Sequence, residues 1–273
     1  MKRARESKPF AKRSLGQNFL VDPLYIAKIV DALEVQPGNI VVEIGPGRGA
    51  LTERLVAHAD RIIALEIDRD LVPLLRDRFK NDENLIVIEA DVLKTDLAEL
   101  VPPDMHTDPS SPPFKVVANL PYYISTAVLQ KLAEQRHLLS TLVLMFQREV
   151  VDRITAAPGN SDRGFLTVLT EAFFEVERLF DVPAEAFRPQ PKVRSSVVRL
   201  TPKASVISSE TVFRELISNA FRQKRKTITN NLKPFYPNAA ATLAAAEIDP
   251  RLRPEALTLD QWLRLMQSTL IDQ

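Results

Sequence analysis

Seven short apolar runs, separated by helical patterns, constrain the fold of this chain more than any other feature of its sequence. The runs are rich in β-branched residues and bounded by turn residues, as is typical of buried strands. Strands that alternate with helices form right-handed crossovers and a mostly parallel sheet. The pattern therefore predicts an α/β fold with seven strands, the last two forming an antiparallel edge pair. The runs cover residues 39–44, 61–67, 85–90, 115–119, 142–146, 173–180 and 193–200.

Helical spacing fills the gaps between the runs and then takes over the C-terminal part. Asp22 followed by Pro23 is a helix-start signal and predicts a helix at about 23–34. After residue 201 the strand signal stops, and Thr258 with Gln261 forms a capping-box pattern that opens a last helix. The sequence thus predicts a first domain over 1–201 and a small all-helical domain over 202–273. Further helical patterns cover 51–59, 71–79 and 127–134.

Composition excludes several kinds of site. The chain has no cysteine, which rules out disulfides, thiolate zinc sites, iron–sulfur clusters and a cysteine nucleophile. His58, His106 and His137 show no ligand-like spacing, so we expect no metal site. No stretch approaches the ~18 apolar residues of a membrane span, and no apolar segment follows the basic N-terminus. We expect a cytoplasmic protein that is not bound to a membrane.

Positive charge is concentrated in two places. The net charge is only +1, but residues 1–13 carry six basic side chains against one acid, and residues 221–233 carry five against none. The rest of the chain is therefore acidic. Clusters of Lys and Arg displace the counterions that condense on phosphates. The two clusters indicate a polyanionic partner, with a solvated tail and a solvated helix face as the alternative interpretation.

Three of the seven glycines lie in one segment, 43–49 (EIGPGRG), between a predicted strand and a helix. Glycine there permits a tight turn and lets a ligand approach the backbone closely. Glu66 ends the next strand, where a carboxylate can hold both hydroxyls of a ribose, and Asp91 ends the third, where it can accept from an exocyclic amine. These residues predict a nucleotide-type site. They leave an NAD-dependent oxidoreductase open, because the segment also fits the looser dinucleotide fingerprint.

The end of the fourth strand decides between the two cofactors. It reads Asn119, Leu120, Pro121, Tyr122. The Asn119 oxygen and a backbone carbonyl held by Pro121 can accept both hydrogens of an amino group on a planar ring, which would aim its lone pair at a methyl donor. Tyr122 offers a stacking face for a base lifted out of its helix. An ordinary strand-to-turn exit is the alternative, and an oxidoreductase would explain neither this tetrad nor the basic clusters.

Together these segments resemble the ordered motifs of the rRNA adenine N6,N6-dimethyltransferases. The resemblance runs from about residue 13 to the C-terminus. Leu120 and the basic segment, interpreted as helical, favour the bacterial small-subunit branch, whose loss gives kasugamycin resistance, over the large-subunit branch of antibiotic resistance. The proline-rich loop 101–113 is longer than the family pattern but interrupts no motif. The matching segments are 17–20 (QNFL), 43–49 (EIGPGRG), 119–125 (NLPYYIS), 187–193 (FRPQPKV) and 221–232, which contains FRQKRKT and NNL.

The resemblance implies a Rossmann-like, S-adenosylmethionine-dependent methyltransferase domain and a role for each motif residue. Phe187 would be a second stacking face for the target adenine or, alternatively, a loop anchor packed on the core. The cofactor would be bound by Asn18, Leu20, Gly45, Gly47, Glu66, Ile67, Asp91, Val92 and Asn119. The target adenine would be held by Asn119, Leu120, Pro121 and Tyr122. Phosphates of rRNA would be bound by Arg222, Lys224, Arg225 and Lys226, and by the tail 1–13 unless that tail is merely disordered.

The activity implied by the resemblance is the transfer of methyl groups from S-adenosylmethionine to N6 of two adjacent adenines near the 3′ end of small-subunit (16S) rRNA. The substrate would be an assembling pre-30S particle, and we expect the enzyme to be a monomer. Two alternatives stay open at this point. One is a ribosome-assembly checkpoint factor in which methylation is secondary, and the other is a large-subunit rRNA adenine dimethylase of the antibiotic-resistance type.

Overall fold

The computed structural model describes Lys12 and residues 16–100, 114–121, 123–204 and 207–271. The chain divides into two compact units. The first consists of Met1–Arg148 and Glu177–Pro202, and the second of Glu149–Val176 and Lys203–Gln273. The sequence predicts a single boundary near residue 202. The second unit does resume there, but it also includes a segment from the middle of the chain.

The elements follow one another in the order that the sequence predicts, with additions. Each of the seven predicted strands is present, with ends shifted by up to three residues. The elements are β1 (Phe19–Leu20), α1 (Pro23–Ala32), β2 (Ile40–Ile44), α2 (Ala50–Leu55), β3 (Arg61–Glu66), α3 (Leu71–Arg78), β4 (Leu85–Glu89), β5 (Phe114–Asn119), α4 (Ser125–Glu134), β6 (Leu139–Gln147), α5 (Arg148–Ile154), α6 (Phe165–Phe173), β7 (Phe174–Val182), β8 (Phe187–Arg188), β9 (Ser195–Pro202), α7 (Glu210–Ala220), α8 (Ile228–Leu232), α9 (Ala239–Ala245) and α10 (Leu259–Ile271).

Seven strands form one sheet in the order β4-β3-β2-β5-β6-β9-β7. The pairs β2 with β3, β2 with β5, β3 with β4, and β5 with β6 are parallel, and β9 is antiparallel to β6. The predicted mostly parallel sheet is therefore confirmed, with β9 inserted between β6 and the edge strand β7. From β2 the chain builds the sheet first to one side and then to the other. This reversal opens a crevice at the carboxyl ends of β2 and β5.

The central strands are apolar on both faces, which a parallel sheet covered by helices requires. All five residues of β2 are buried. The exception in β5 is Lys115, whose ammonium group donates to the carbonyls of Leu33 and Glu34, each at 2.9 Å. These carbonyls lie just beyond the end of α1, where a cation is favourable. Burial lowers the pKa of Lys115.

Helix α6 explains why residues 149–176 belong to the second unit. Seven of its nine residues are buried, so the helix is covered on nearly every side. The Phe173 ring meets Phe213 of α7 edge-on, with 6.3 Å between centroids, and the Lys203 N–H donates to the Phe173 carbonyl at 2.9 Å. An apolar helix that lies between two strands in the sequence is thus packed against the C-terminal helices.

The C-terminal helices surround Trp262, which is fully buried and lies 5.6 Å from Phe221 between ring centroids. The predicted capping box is confirmed. The Gln261 N–H donates to Thr258 Oγ1 at 3.3 Å, and the Thr258 N–H donates to Gln261 Oε1 at 2.9 Å. The interpretation of the basic segment as helical is wrong. Residues 221–226 form turns between α7 and α8, because the backbone groups of this segment bond to Asn231, as described below.

Candidate functional site

The first unit contains a cavity of about 330 Å³ at the carboxyl ends of β2, β3, β4 and β5. Open α/β sheets bind their ligands at this edge. The cavity gathers predicted site residues that are far apart in sequence. Those along its wall are Asn18, Gly45, Gly47, Glu66, Ile67, Asp91, Val92, Asn119, Leu120, Pro121 and Phe187.

The glycine-rich turn after β2 has a left-handed backbone. The φ angle is +68° at Gly45 and +60° at Gly47, values that residues with a Cβ rarely adopt. A Cβ on Gly47 would also stand 3.1 Å from the ring of Phe19. Glycine at position 47 therefore permits both the turn and the close packing of Phe19 against it. The result is a ligand-facing stretch of bare backbone.

Glu66, the last residue of β3, forms one side of the cavity. It is only 4% exposed, and its two oxygens accept the N–H groups of Gly47 and Asp68, each at 2.9 Å. Burial raises the pKa of this carboxyl, and backbone hydrogen bonds from Asp68, Gly47 and Ile67 oppose that effect. Each carboxylate oxygen has a further lone pair. Glu66 can therefore accept two hydroxyl groups of a ligand while it holds the turn.

A second carboxyl group, that of Glu43, lies in β2 directly before the turn and is 1% exposed. It accepts a hydrogen bond from Thr52 Oγ1 at 2.6 Å. Burial raises the pKa of Glu43 to about 7, and the negative charge of Glu66 adds to this. Glu43 is not part of the cavity wall, so we assign it to the support of the turn.

Asp91 follows β4 and is half-exposed at the cavity. Its Oδ1 accepts the Leu93 N–H at 3.0 Å, whereas Oδ2 has no partner among the described residues. Two apolar side chains adjoin it on the wall, the buried Val92 and the half-exposed Ile67. A free acceptor beside apolar surface suits a planar base that carries an amino group.

Asn119, the last residue of β5, is oriented by the segment before β1. Its Nδ2 donates to the Asn18 carbonyl at 3.1 Å, and the Asn18 Nδ2 donates to the Gly16 carbonyl at 3.2 Å. Because the amide nitrogen of Asn119 is engaged, its Oδ1 is left as an acceptor, and no described residue donates to it. This is the acceptor that the sequence predicts for an amino group on a planar ring.

The rest of the tetrad is held by backbone bonds. The Leu120 N–H donates to the Met145 carbonyl at 3.4 Å, and the Pro121 carbonyl accepts from the Ile124 N–H at 3.2 Å. Tyr122 lies outside the described residues, so its stacking role stays a prediction. The neighbouring Tyr123 is 62% exposed and lines the cavity. It is a second aromatic candidate, which the sequence interpretation did not select.

Two strands of two residues each, β1 and β8, form an antiparallel ribbon that the sequence pattern did not predict. Leu20 pairs with Phe187. Phe187 is 1% exposed, and it both packs in the hydrophobic core and reaches the cavity wall. Leu20 packs in the same core and is not among the lining residues. The Leu20 side chain therefore belongs to the core, and its predicted contact with the cofactor stays a prediction.

Lys12, Gln17 and Asp68 form a cluster that sequence reasoning missed, and we call it the N-terminal clamp. Lys12 Nζ donates to Asp68 Oδ1 at 2.5 Å, and Gln17 Nε2 donates to Asp68 Oδ2 at 2.8 Å. Burial raises the pKa of Asp68, but these bonds outweigh it and lower the pKa below its usual value. Since the Asp68 N–H also binds Glu66, the clamp ties the segment before Asn18 to the end of β3. Residues this distant have no signal in local spacing.

The second unit presents the predicted phosphate contacts on one segment, residues 222–226, which we call the basic loop. Asn231 is 3% exposed; its Oδ1 accepts the Gln223 N–H and its Nδ2 donates to the Gln223 carbonyl, both at 3.1 Å. The loop therefore has a fixed backbone and exposed cations that can contact phosphates. The exposed cations, none of which forms an ion pair with a described residue, are Arg222, Lys224, Arg225 and Lys226.

The described residues cover only part of what the sequence predicts about metals, membranes and loops. Within the described ranges, no three His, Asp or Glu side chains converge as metal ligands. None of the described helices is both long enough and apolar enough to cross a membrane. The basic tail, apart from Lys12, and the loop 101–113 lie outside the described residues.

Comparisons with known proteins agree with one another. A family model described as ribosomal RNA adenine dimethylase matches residues 10–270. The chain is 41% identical over 264 residues to the ribosomal RNA small subunit methyltransferase A of Enterococcus faecalis, covering 93% of this chain and 88% of that protein. It is 43% identical over 258 residues to the protein of the same name from Acinetobacter baylyi, covering 93% and 91%.

Two solved structures are similar over nearly the whole chain. A dimethyladenosine transferase from Plasmodium falciparum superposes with a TM-score of 0.75 at 29% identity, covering 90% of this chain and 95% of that one. The 23S rRNA methyltransferase ErmE superposes with a TM-score of 0.69 at 30% identity, covering 94% and 100%. The predicted fold class is thereby confirmed.

Proposed function

This chain belongs to the ribosomal RNA adenine dimethylase family, and from that premise we propose that it dimethylates two adjacent adenines near the 3′ end of small-subunit rRNA. It is an rRNA adenine dimethyltransferase that uses S-adenosylmethionine. The observation that carries the proposal is Asn119 Oδ1, to which no described residue donates, together with the bond of Asn119 Nδ2 to the Asn18 carbonyl, which orients the amide.

The choice of the small subunit is supported by similarity. Relatives named as small-subunit rRNA methyltransferases are 41% and 43% identical to this chain, whereas the 23S rRNA methyltransferase ErmE is 30% identical. Leu120 also agrees with this choice, because leucine at this position of the tetrad resembles the small-subunit branch. We therefore rank the large-subunit substrate second.

The cavity fits S-adenosylmethionine, which supplies an electrophilic methyl group on a sulfonium centre. Gly47 leaves bare backbone where a Cβ would meet Phe19 at 3.1 Å. Glu66 keeps acceptors for two hydroxyls, and Asp91 keeps one for an amine. We assign the methionine part to Gly45 and Gly47, the ribose to Glu66, the adenine to Asp91, Ile67 and Val92, and the N-terminal wall to Asn18.

The target amine is held by acceptors and not deprotonated by an imidazole, since the described wall of the cavity contains no histidine. Asn119 Oδ1 accepts one N6 hydrogen and the Leu120 carbonyl, to which no described residue donates, accepts the other. Two such bonds orient the nitrogen lone pair, which is catalysis by positioning. A monomethylated amine keeps one hydrogen, so one acceptor still holds it for the second transfer.

The RNA partner is bound, in this proposal, by the basic loop of the second unit. Its cations make no ion pairs with described residues, and Asn231 fixes its backbone. Each phosphate contact releases counterions, which makes the affinity dependent on salt. We propose that the natural substrate is a pre-30S particle and that the enzyme acts as a monomer.

Asn119→Ala tests the assigned chemistry. The assay uses radiolabelled S-adenosylmethionine and undermethylated small ribosomal subunits, followed by nucleoside analysis. Loss of one donor or acceptor in a preorganised site lowers turnover by about 100- to 1,000-fold. Cofactor affinity, measured by calorimetry, should fall far less than turnover, because Gly47, Glu66 and Asp91 are untouched. Gln36→Ala, which removes an exposed amide before β2, is the matched control and should behave as wild type.

Two results would contradict the proposal. Turnover of Asn119→Ala equal to wild type would refute the role of Asn119. Binding of subunits by the wild type without formation of N6,N6-dimethyladenosine would refute the substrate and favour the assembly-factor alternative.

A further inference from the structure

A second cavity, of about 170 Å³, lies within the second unit and has no part in the chemistry described above. It is smaller than the ~300–1,000 Å³ of sites that enclose a whole small-molecule ligand. Its size suits one flat group of a larger partner. The side chains that the argument uses are Glu215, Phe235 and Asn238.

Phe235 supplies an exposed aromatic face at this cavity. It is 39% exposed, which is unusual for a phenylalanine in a chain whose Phe173, Phe174, Phe187 and Phe213 are all at most 1% exposed. The guanidinium carbon of Arg222 stands 5.0 Å from its ring centroid, within the range of a cation–π contact. We call the exposed Phe235 ring, with the Arg222 guanidinium beside it, the stacking platform. Bases of single-stranded RNA stack on aromatic rings and on arginine.

The polar groups of the cavity favour a base edge over a phosphate. The Asn238 side chain makes no hydrogen bond with a described residue, so it offers both a donor and an acceptor. Glu215 is exposed and forms no ion pair with a described residue. Its carboxylate would repel a phosphate but accept a hydrogen bond from a base amino group. Glu215 and Asn238 are therefore the polar side chains that we assign to the ligand.

Charge next to the cavity matches the backbone that an RNA base would bring with it. Arg222 belongs to both the stacking platform and the basic loop, and Lys233 lies two residues before Phe235. The basic loop and Lys233 can therefore bind phosphates that flank a base in the cavity. The cavity is lined by a carboxylate, and cations lie outside it. This charge distribution suits a nucleotide whose base enters the cavity and whose phosphates stay at the rim.

We propose that this cavity binds one unpaired base of the rRNA substrate, stacked on Phe235 and held at its edge by Asn238 and Glu215. The inference rests on the proposed function, since it specifies how that same RNA is recognised. The phosphate contacts of the basic loop depend on salt. The base in the cavity would add a second contact, one that requires single-stranded RNA.

Phe235→Leu tests the proposal, because it keeps apolar bulk and removes the aromatic face. Equilibrium binding to undermethylated small subunits is measured as a function of salt. Loss of a base–aromatic stack should weaken the affinity by about 5- to 150-fold with an unchanged salt slope. Phe235→Trp should restore it. Leu270→Ala, which removes exposed apolar surface from α10, is the matched control, and circular dichroism establishes that each variant is folded.

Two further variants separate base from phosphate. Lys224→Ala with Arg225→Ala should flatten the salt slope by about 0.7–0.9 for each lost contact. Asn238→Ala, which removes a donor and an acceptor without changing the charge, should weaken binding, and wild-type affinity of this variant would show that no base edge is held there and would overturn the proposal. Wild-type affinity of Phe235→Leu would also overturn it, while the methylation activity of the same preparation shows that the proposed function still stands. A wild type that does not bind subunits at all would sink both.

Discussion

Replacing Gly49 with alanine should destabilise the first unit by about 2–5 kcal/mol. Gly49 is buried with φ = +76°, and a Cβ there would stand 2.6 Å from Cε2 of Phe79 and 3.2 Å from Cδ2 of Leu75. A left-handed backbone costs a residue with a Cβ about 1–2 kcal/mol. Overpacking a core costs about 1–3 kcal/mol. The two costs add because one arises in the backbone and the other in the surrounding side chains.

Gly38→Ala separates the two costs. Gly38 has φ = +84°, but nothing lies within 4 Å of a Cβ placed on it. This variant should therefore lose only the backbone part, about 1–2 kcal/mol. Phe79→Leu, made in the Gly49→Ala background, should restore part of the lost stability because it removes the ring atoms nearest to the new methyl group. The double-mutant cycle should then give a favourable coupling energy of about 1–3 kcal/mol.

Thermal unfolding of the full chain, followed by circular dichroism, measures these differences. For a unit of this size each kcal/mol lowers Tm by about 2–4 °C, so we expect a loss of about 4–20 °C for Gly49→Ala and about 2–8 °C for Gly38→Ala. Equal losses for the two glycine variants would refute the steric argument. So would a cycle with no coupling between positions 49 and 79.

Two further perturbations address the charged groups around the cavity. Gln17→Ala removes a hydrogen bond to the ionised Asp68 and should lower the free energy of unfolding by about 1.5–3 kcal/mol; urea unfolding measures it, and an unchanged midpoint would show that the clamp does not hold. The pKa of Glu43 is raised from 4.5 to about 7, so the fold favours its protonated form. Stability linked to Glu43 is thus fully present below pH 4.5 and is lost as the pH rises through 7, by about 3 kcal/mol in total. Glu43→Gln should reduce the pH dependence of the unfolding free energy between pH 5 and 7.5. An unaltered pH dependence would contradict the assignment.

The features that the sequence predicts correctly depend on local periodicity. The seven strands of the sheet are short apolar runs bounded by turn residues, and their alternation with helices predicts the mostly parallel sheet. The capping box at Thr258 depends on a spacing of three residues and is formed by the hydrogen bonds expected of it. The cavity residues could be predicted because the carboxyl ends of parallel strands lie at one edge, which brings Glu66, Asp91 and Asn119 together.

The features that the sequence did not predict depend on contacts between distant residues. Strands of two residues, such as β1 and β8, are too short to produce a pattern. Residues 149–176 precede the boundary that the sequence predicts near 202, yet they belong to the second unit, where α6 is buried on nearly every side. The basic segment has helical composition, but Asn231 satisfies its backbone groups in a turn. Leu20 matches a motif, yet its side chain is used in the core.

The ribbon of β1 and β8 has a thermodynamic consequence. Asn18, which we propose to contact the cofactor, directly precedes β1, and Phe187, which is predicted to stack on the target base, begins β8. Among the described residues each strand has only the other as its pairing partner, so a displacement of one strand by a ligand would be transmitted to the other. Linkage makes such coupling reciprocal. The factor by which bound cofactor changes the affinity for RNA must equal the factor by which bound RNA changes the affinity for cofactor. Titrations in the two orders form a closed cycle that measures the coupling free energy between the two ligands.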